Sequence, residues 1–323
     1  MIDRILFTKK SMKPDEVLKV VKSNQLQTNS INGKTYYNNQ LTKNTRDKGV
    51  FIQIHTDGNL KLECSLQKYY NRLETGKGTN FGNFTMKQAT ETAFQLLDTK
   101  GITVNELNVY RFEIGLNLIV KNDCREYLDL MQGIEISGTE KELLVNQKFK
   151  DKRERTTEFH RDKRKYYKAY DKVHEMKDKR TEPPPNLNIL RIETVYRRIE
   201  KMTFEKFISP DNLDKIVDQF FNDWRRIKFK RELQAPKGTG DKKKQLCKDI
   251  LRHGKNKVLN NAKVRQQKGT LTEREYRTIR EFITNEWQTF RAEIVPIQSD
   301  QEKEFRELIK AQIKNTIRCK STN

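Results

Sequence analysis

Tyr170 and Lys172 stand two residues apart in the stretch Tyr166-Tyr167-Lys168-Ala169-Tyr170-Asp171-Lys172. Along a strand, alternate side chains share a face. Tyr166, Lys168, Tyr170 and Lys172 are therefore expected on one side, with a phenol held between two ammonium groups. Such a phenol suits nucleophilic attack on a phosphodiester, because the cations stabilise both the phenolate and the charged phosphate. A free tyrosine titrates at about 10, so Lys168, Lys172 and a bound metal would have to favour the phenolate. The same pattern also describes an edge strand with Lys on its solvent face. Tyr166 and Tyr167 are rival nucleophiles, or rings that stack on a base or pack in the sheet.

Three other strands each carry one carboxylate on a polar face: Glu63, Glu113 and Glu193, with Lys61, Arg111 and Arg191 two residues before them. If these strands join one sheet, the carboxylates can converge on a hard divalent cation, Mg2+ or Mn2+. That ion would polarise a phosphoryl oxygen and stabilise the leaving oxygen. A set of Arg–Glu cross-strand pairs is the structural alternative. Of His55, His160, His174 and His253, no two lie at spacing two on a strand or four on a helix. Cys64, Cys124, Cys247 and Cys319 form no Cys-x-x-Cys pair. A metal site must then be built mainly from carboxylates, and the scattered cysteines fit a reducing cytoplasm.

Periodicity indicates the elements that would carry these residues. Residues 50–66 read as a hairpin turning at Asp57-Gly58, with Leu60, Leu62, Cys64 and Leu66 on one face and Lys61, Glu63 and Ser65 on the other. The glycines of 74–80 lack phosphate-loop spacing and read as a flexible loop. A helix is expected over 85–100, capped by Thr85 and Gln88 and ended by Gly101. The strand 108–120 alternates Tyr110, Phe112, Ile114, Leu116 and Leu118 against Arg111, Glu113, Gly115 and Asn117. A short helix over 124–132 follows. Two basic strands, 156–159 and 165–172, are expected around an Arg161-Asp162-Lys163 turn. Beyond the stiff run Pro183-Pro184-Pro185 comes a strand over 189–197, in which Arg191, Glu193, Val195 and Arg197 share a face. Helices then dominate. The break over 236–244 reads as a linker, Thr272 and Glu275 cap a helix running to Trp287, and a last helix covers about 299–317. The expected fold is α+β, an antiparallel-rich sheet covered on one face by helices. A catalytic domain would occupy 1–235 and a basic helical segment 236–323.

Charge restricts the partner. The 323 residues carry 66 Lys and Arg against 44 Asp and Glu, a net charge of +22. So large an excess favours a polyanion, and nucleic acid is the default. Candidate contacts are Arg111, Arg191, Arg197, Lys163, Arg164, Lys165 and Tyr166, together with Lys242, Lys243 and Lys244. No apolar run approaches the roughly 20 residues that span a bilayer, and the first residues do not form a signal peptide, so no membrane partner is expected.

Taken in order, "GNLKLECSLQKYYN", "NFGNFT", "YRFEIGLNL", "YYKAYDKVHE" and "LRIETVYRR" resemble the gene II/X replication initiators of filamentous phages and their plasmid relatives. The resemblance covers about residues 45–205. It implies a rolling-circle nickase working in a bacterial cytoplasm, whose tyrosine becomes linked to the 5′ phosphate of one cut strand at an origin. The nucleophile of the family matches Tyr170 here, and its acidic positions match Glu63, Glu113, Glu175 and Glu193. The partners so implied are single-stranded or supercoiled origin DNA and the host replication helicase and polymerase. One departure stands out. Better-known rolling-circle nickases carry two metal-binding histidines flanking a hydrophobic residue, whereas Phe112-Glu113-Ile114 stands here, which leaves His160 and His174 as lesser candidates. Two other classes fit the composition: a nucleic-acid-binding protein without chemistry, and a mobilisation relaxase sharing the nicking step.

Overall fold

The computed structural model describes residues 1–39, 49–136, 138–146, 153–157, 164–199 and 202–320. The chain divides into two compact units, Met1–Phe229 with Glu304–Asn323, and Lys230–Lys303.

The first unit is built on one 12-stranded sheet in the order β12-β7-β8-β9-β10-β11-β6-β1-β5-β4-β3-β2, with antiparallel pairing at every described ladder. In chain order the strands are β1 (Ile2–Lys9), β2 (Gln27–Ile31), β3 (Lys34–Asn38), β4 (Phe51–His55), β5 (Leu60–Ser65), β6 (Asn108–Val120), β7 (Met131–Ile136), β8 (Thr139–Val145), β9 (Glu154–Thr157), β10 (Lys165–Asp171), β11 (Asn188–Arg197) and β12 (Ile227–Phe229). The helices are α1 (Pro14–Ser23), α2 (Leu66–Thr75), α3 (Met86–Thr99), α4 (Cys124–Leu130), α5 (Lys172–Asp178), α6 (Phe204–Ile208) and α7 (Pro210–Arg225). The α+β class and the antiparallel sheet are as expected.

One face of the sheet is apolar and helix-covered. Phe7, Leu62, Phe112, Ile114, Tyr167, Ala169 and Ile192 join Ala93, Leu96, Phe207, Phe220 and Trp224 in a single buried core. Phe204 meets Phe7 edge-on at 5.3 Å, and Phe112 stacks on Tyr196 at 4.5 Å. Burying a side chain of this size stabilises the fold by about 1.5–3 kcal/mol. Thr85 caps α3 through the expected box with Gln88. The hairpin β4–β5 turns at Asp57-Gly58, where Gly58 takes φ +82° and a Cβ would strike the backbone of Met12.

Several expectations need correction. Lys172 is not on a strand: the Asp171 carboxylate accepts from the His174 amide and starts α5 at Lys172. Such a cap turns the chain out of the sheet one residue early. Tyr110 is 42% exposed although Phe112 is buried, because β6 shifts register against β1 between Val109 and Arg111. A bulge of this kind moves one residue to the opposite face. The loop expected over 74–80 starts inside helix α2, which is capped by Ser65 and ends at Thr75. The turn at 161–163 and residues 158 and 159 lie outside the described residues.

The second unit contains the two-stranded ladder β13 (Glu232–Gln234) with β14 (Val295–Ile297), and helices α8 (Asp241–His253), α9 (Lys255–Gln267), α10 (Glu273–Glu281) and α11 (Trp287–Ala292). Its own small core is Cys247, Ile250, Phe282, Ile283 and Trp287. Helix α12 (Asp300–Lys320) was expected to belong with this segment. From Glu304 onward it belongs to the first unit instead, burying Phe305 and Ile309 in the main core and accepting the Tyr127 hydroxyl at 2.7 Å through Glu304. Among the described residues no helix is long and apolar enough to cross a membrane.

Candidate active site

The polar face of five adjacent strands, β10-β11-β6-β1-β5, forms the floor of a pocket of about 340 Å³. Tyr170 and Lys168 reach it from β10, Glu193 from β11, Glu113 from β6, Asp3 and Arg4 from β1, and Glu63 and Ser65 from β5, with Glu154 and Glu175 at its wall. Strand alternation sorts these residues from the core. Tyr167 and Ala169 point into the helical layer, while Lys168 and Tyr170 point into the pocket.

Register sets the contacts. Tyr170 lies directly opposite Arg191, and Lys168 opposite Glu193. The Tyr170 hydroxyl donates to Glu193 Oε1 at 2.8 Å, and Arg191 Nε donates to the same oxygen at 2.6 Å. The remaining nitrogens of the Arg191 guanidinium donate to the Asn80 carbonyl at 2.9 Å, Asn117 Oδ1 at 3.0 Å and Asp3 Oδ2 at 2.5 Å. Asp3 also accepts Ser65 Oγ at 2.6 Å and Asn80 Nδ2 at 2.8 Å. The guanidinium lies over Gly115, where a Cβ would collide with it. Only glycine leaves room for the clamp at this position.

The other carboxylates are also engaged. Glu63 pairs with Arg4 at 2.7 Å and Arg111 at 3.9 Å. Glu113 pairs with Arg111 and lies 3.8 Å from Lys168 Nζ, which also pairs with Glu193. Glu175 pairs with Lys172 at 2.7 Å and with Lys179. Glu154 accepts Asn146 Nδ2 at 2.7 Å.

These neighbours shift the protonation equilibria. Burial pushes the Tyr170 phenol well above its ordinary value; Glu193 adds to the rise and Arg191 opposes it. Burial works against ionised Glu193, yet Lys168 and Arg191 hold its carboxyl well below the usual range. Lys168 is held up by Glu193 and Glu113 in spite of burial. Lys172, almost fully buried with its amine 5.9 Å from the Tyr170 ring centre, is brought down to about 8 by burial and then by Arg191. Burial raises Glu154, against the pull of Asn146 and Lys168. The resting site therefore holds a neutral phenol already bonded to a carboxylate, with a buried lysine behind it whose pKa is brought down to about 8.

All four carboxylates expected to bind a metal, Glu63, Glu113, Glu175 and Glu193, line this one pocket. Their oxygens are the right donors for Mg2+ or Mn2+. However, among the described residues no three His, Cys, Asp or Glu side chains are grouped to hold an ion. Arg111, Lys168 and Arg191 already compensate the charge of Glu113 and Glu193. The arrangement does not fit a metal as it stands. His174 lines a small adjoining cavity with Glu154, Tyr170 and Glu175, and its Nε2 lies 3.7 Å from Asp178. His160 lies outside the described residues.

The expected DNA contacts divide sharply. Arg191 is 1% exposed and fully engaged, so it positions Tyr170 and Glu193 and offers nothing to a solvent-borne ligand. Lys165 faces the helices, pairing with Asp223 and lying over Tyr167 and Tyr196 at 5.3 and 5.0 Å. Tyr167 donates to Asp223 at 3.0 Å within the core, which removes it as a second nucleophile. Tyr166 shares the Tyr170 face and lies beneath Arg197 at 5.1 Å. Arg164 is exposed, Arg111 is half-buried, and Lys163 lies outside the described residues. In the second unit Lys242 is 99% exposed. Lys243 is turned onto Phe282 and Phe290 at 4.6 and 4.8 Å, and Lys244 pairs with Asp241 at 2.9 Å.

Asp3, Asn80, Gly115 and Glu154 were not anticipated as site residues. Asp3 is the extra residue of a bulge where β1 shifts register against β6 between Ile2 and Arg4. An acidic residue inside the apolar run Met1-Ile2-Asp3-Arg4-Ile5-Leu6-Phe7 was the available signal. No protein-family model matches the chain, and no curated protein matches it.

Proposed function

We propose that the protein nicks and rejoins one strand of DNA through a tyrosine-linked intermediate, as a rolling-circle replication initiator in a bacterial cytoplasm. The observation that carries this reading is the Tyr170 hydroxyl donating at 2.8 Å to Glu193 on the floor of an open pocket where Arg4, Lys68, Lys168 and Lys179 stand among the carboxylates. Tyr170 Oη attacks the phosphorus of a phosphodiester while Glu193 accepts its proton. The bond from phosphorus to the 3′ oxygen breaks, leaving a 5′-phosphotyrosine. The departing 3′ oxygen takes a proton from Glu175, which lines the pocket and is resupplied by the ammonium of Lys172 buried behind it at 2.7 Å, whose pKa is brought down to about 8. Lys168, with its amine at the pocket, stabilises the charge that builds on the phosphoryl oxygens. Attack by a 3′ hydroxyl on the phosphotyrosine reverses every step and recloses the strand.

Mg2+ or Mn2+ belongs to the reading only as an ion that would enter once Lys168 leaves Glu113 and Glu193. The pairing of Glu63, Glu113 and Glu193 with cations favours a second reading, a DNA-binding protein without chemistry. Incubation with a pool of single-stranded and supercoiled DNA, followed by a denaturing gel, separates the two. A covalent adduct mapping to Tyr170 supports the nickase. No adduct, or an adduct on another tyrosine, overturns it.

A further inference from the structure

In the second unit, two lysines of the 242–244 run are engaged within the unit itself, Lys243 on Phe282 and Phe290 and Lys244 with Asp241. Helix α9 is different. Residues 255–268 hold Lys255, Lys257, Lys263, Arg265 and Lys268 and no acidic residue. All five are exposed, and the helix buries Ala262 alone. Val258 and Leu259 pack on the small core of the unit, which fixes the inner edge. At about 100° per residue the outer face then presents Lys257, Asn260, Asn261, Val264, Gln267 and Lys268. With no acid in the helix, no Glu–Lys pair at spacing four relieves the mutual repulsion of these charges.

We infer that the outer face of α9 is a DNA-reading surface that lies in the major groove of duplex DNA. The inference rests on DNA being the partner of this protein, and it assigns the duplex contact to a helix remote in sequence from Tyr170. The side chains have the matching chemistry. Lysines meet phosphates or guanine edges, Asn and Gln bond adenine in a bidentate manner, and an exposed Val, here Val264 at 46%, meets the thymine methyl. A helix of 13 residues, about 20 Å long, is sufficient to lie along such a groove. Anionic lipid would be served by the lysines but has no use for the amides of Asn260, Asn261 and Gln267.

The test uses the full chain and labelled duplex DNA, with affinity read by fluorescence anisotropy across a salt series. Lys257→Gln and Lys268→Gln combined should flatten the log–log salt slope by about 1.8, at roughly 0.9 for each phosphate no longer neutralised. The combined surface control Lys10→Gln, Lys19→Gln and Lys34→Gln should leave the slope alone. Selection from randomised duplexes should enrich a motif with the wild type, and Asn260→Ala should relax one position of it. Unchanged slope in the α9 variant, or an equal flattening in the control, overturns the inference. So does binding to phosphatidylserine vesicles that falls in the α9 variant while duplex binding persists. Linkage of the α9 variant to single-stranded DNA is scored separately, so failure here and failure of the nickase reading are told apart.

Discussion

Tyr170 and Glu193 share one short hydrogen bond, 2.8 Å from phenol to carboxylate, across two neighbouring strands. In the proposed nicking reaction, that pairing couples the nucleophile to its proton acceptor before any substrate arrives. The site has a cost: burial, and then ionised Glu193 beside it, make the phenol resist losing its proton to solvent. The proton can move only when something draws electrons from the phenol oxygen, and an approaching phosphorus does that.

Replacing Tyr170 by Phe keeps the ring and removes the attacking oxygen. Adduct formation should vanish while duplex and single-strand affinity stay within about twofold of wild type. Removing a hydrogen bond to a charged acceptor should lower stability by about 1.5–3 kcal/mol, read by urea unfolding. Normal adduct yield from Tyr170→Phe would remove Tyr170 from the mechanism.

In the proposed reaction, Lys172 as the source of the proton for the leaving oxygen would give the rate a pH limb. Its folded pKa of about 8 lies below the ordinary lysine value of 10.5, so folding favours its neutral form. Between those two values the unfolded chain binds the extra proton, and stability should rise with pH from about 8 toward 10.5. As the source of the leaving oxygen's proton, Lys172 should instead make the rate fall above about pH 8. Lys172→Met should remove both trends. A rate profile that keeps its alkaline limb in that variant would show that another group supplies the proton.

The site is legible in part from sequence because period-two alternation survives wherever the ladder is regular. Glu113, Glu193, Lys168 and Tyr170 fall on one face for that reason. Alternation fails where a side chain or an extra residue resets it. Asp171 caps a helix and takes Lys172 off the strand, and the bulges beside Asp3 and Tyr110 move single residues across the sheet. The pairing of Glu193 with Arg191 was visible as spacing, but not the reach of Arg191 to Asp3, which spans 188 residues. Register between distant strands leaves no local signature. Lys243 shows the same limit, since its cradle of Phe282 and Phe290 forms only in three dimensions.

Gly115 should be intolerant of any side chain. Gly115→Ala places a methyl group against the Arg191 guanidinium, and the clamp on Asp3 and Glu193 must shift. Overpacking of this kind costs about 1–3 kcal/mol. Adduct yield should fall further than stability explains, because Arg191 also holds Glu193, the proposed proton acceptor of Tyr170. A variant with wild-type yield and melting temperature would mean that the guanidinium is free to move.

Lys168 stands where a metal would have to enter between two of the carboxylates. Its ammonium lies between Glu113 and Glu193, 3.8 Å from the former and ion-paired with the latter. Lys168→Met leaves two buried carboxylates without that cation, and breaking such a pair costs about 3–5 kcal/mol. Mn2+ should then bind more tightly than to wild type, read by electron paramagnetic resonance of the free ion, and should restore much of the lowered melting temperature. Glu113→Gln added to Lys168→Met should abolish that gain, since it removes one of the two charges that attract the ion. If Mn2+ binds wild type and Lys168→Met alike, Lys168 does not stand in the place of the metal. Weak binding by both would leave the carboxylates as partners of Arg111 and Arg191 alone.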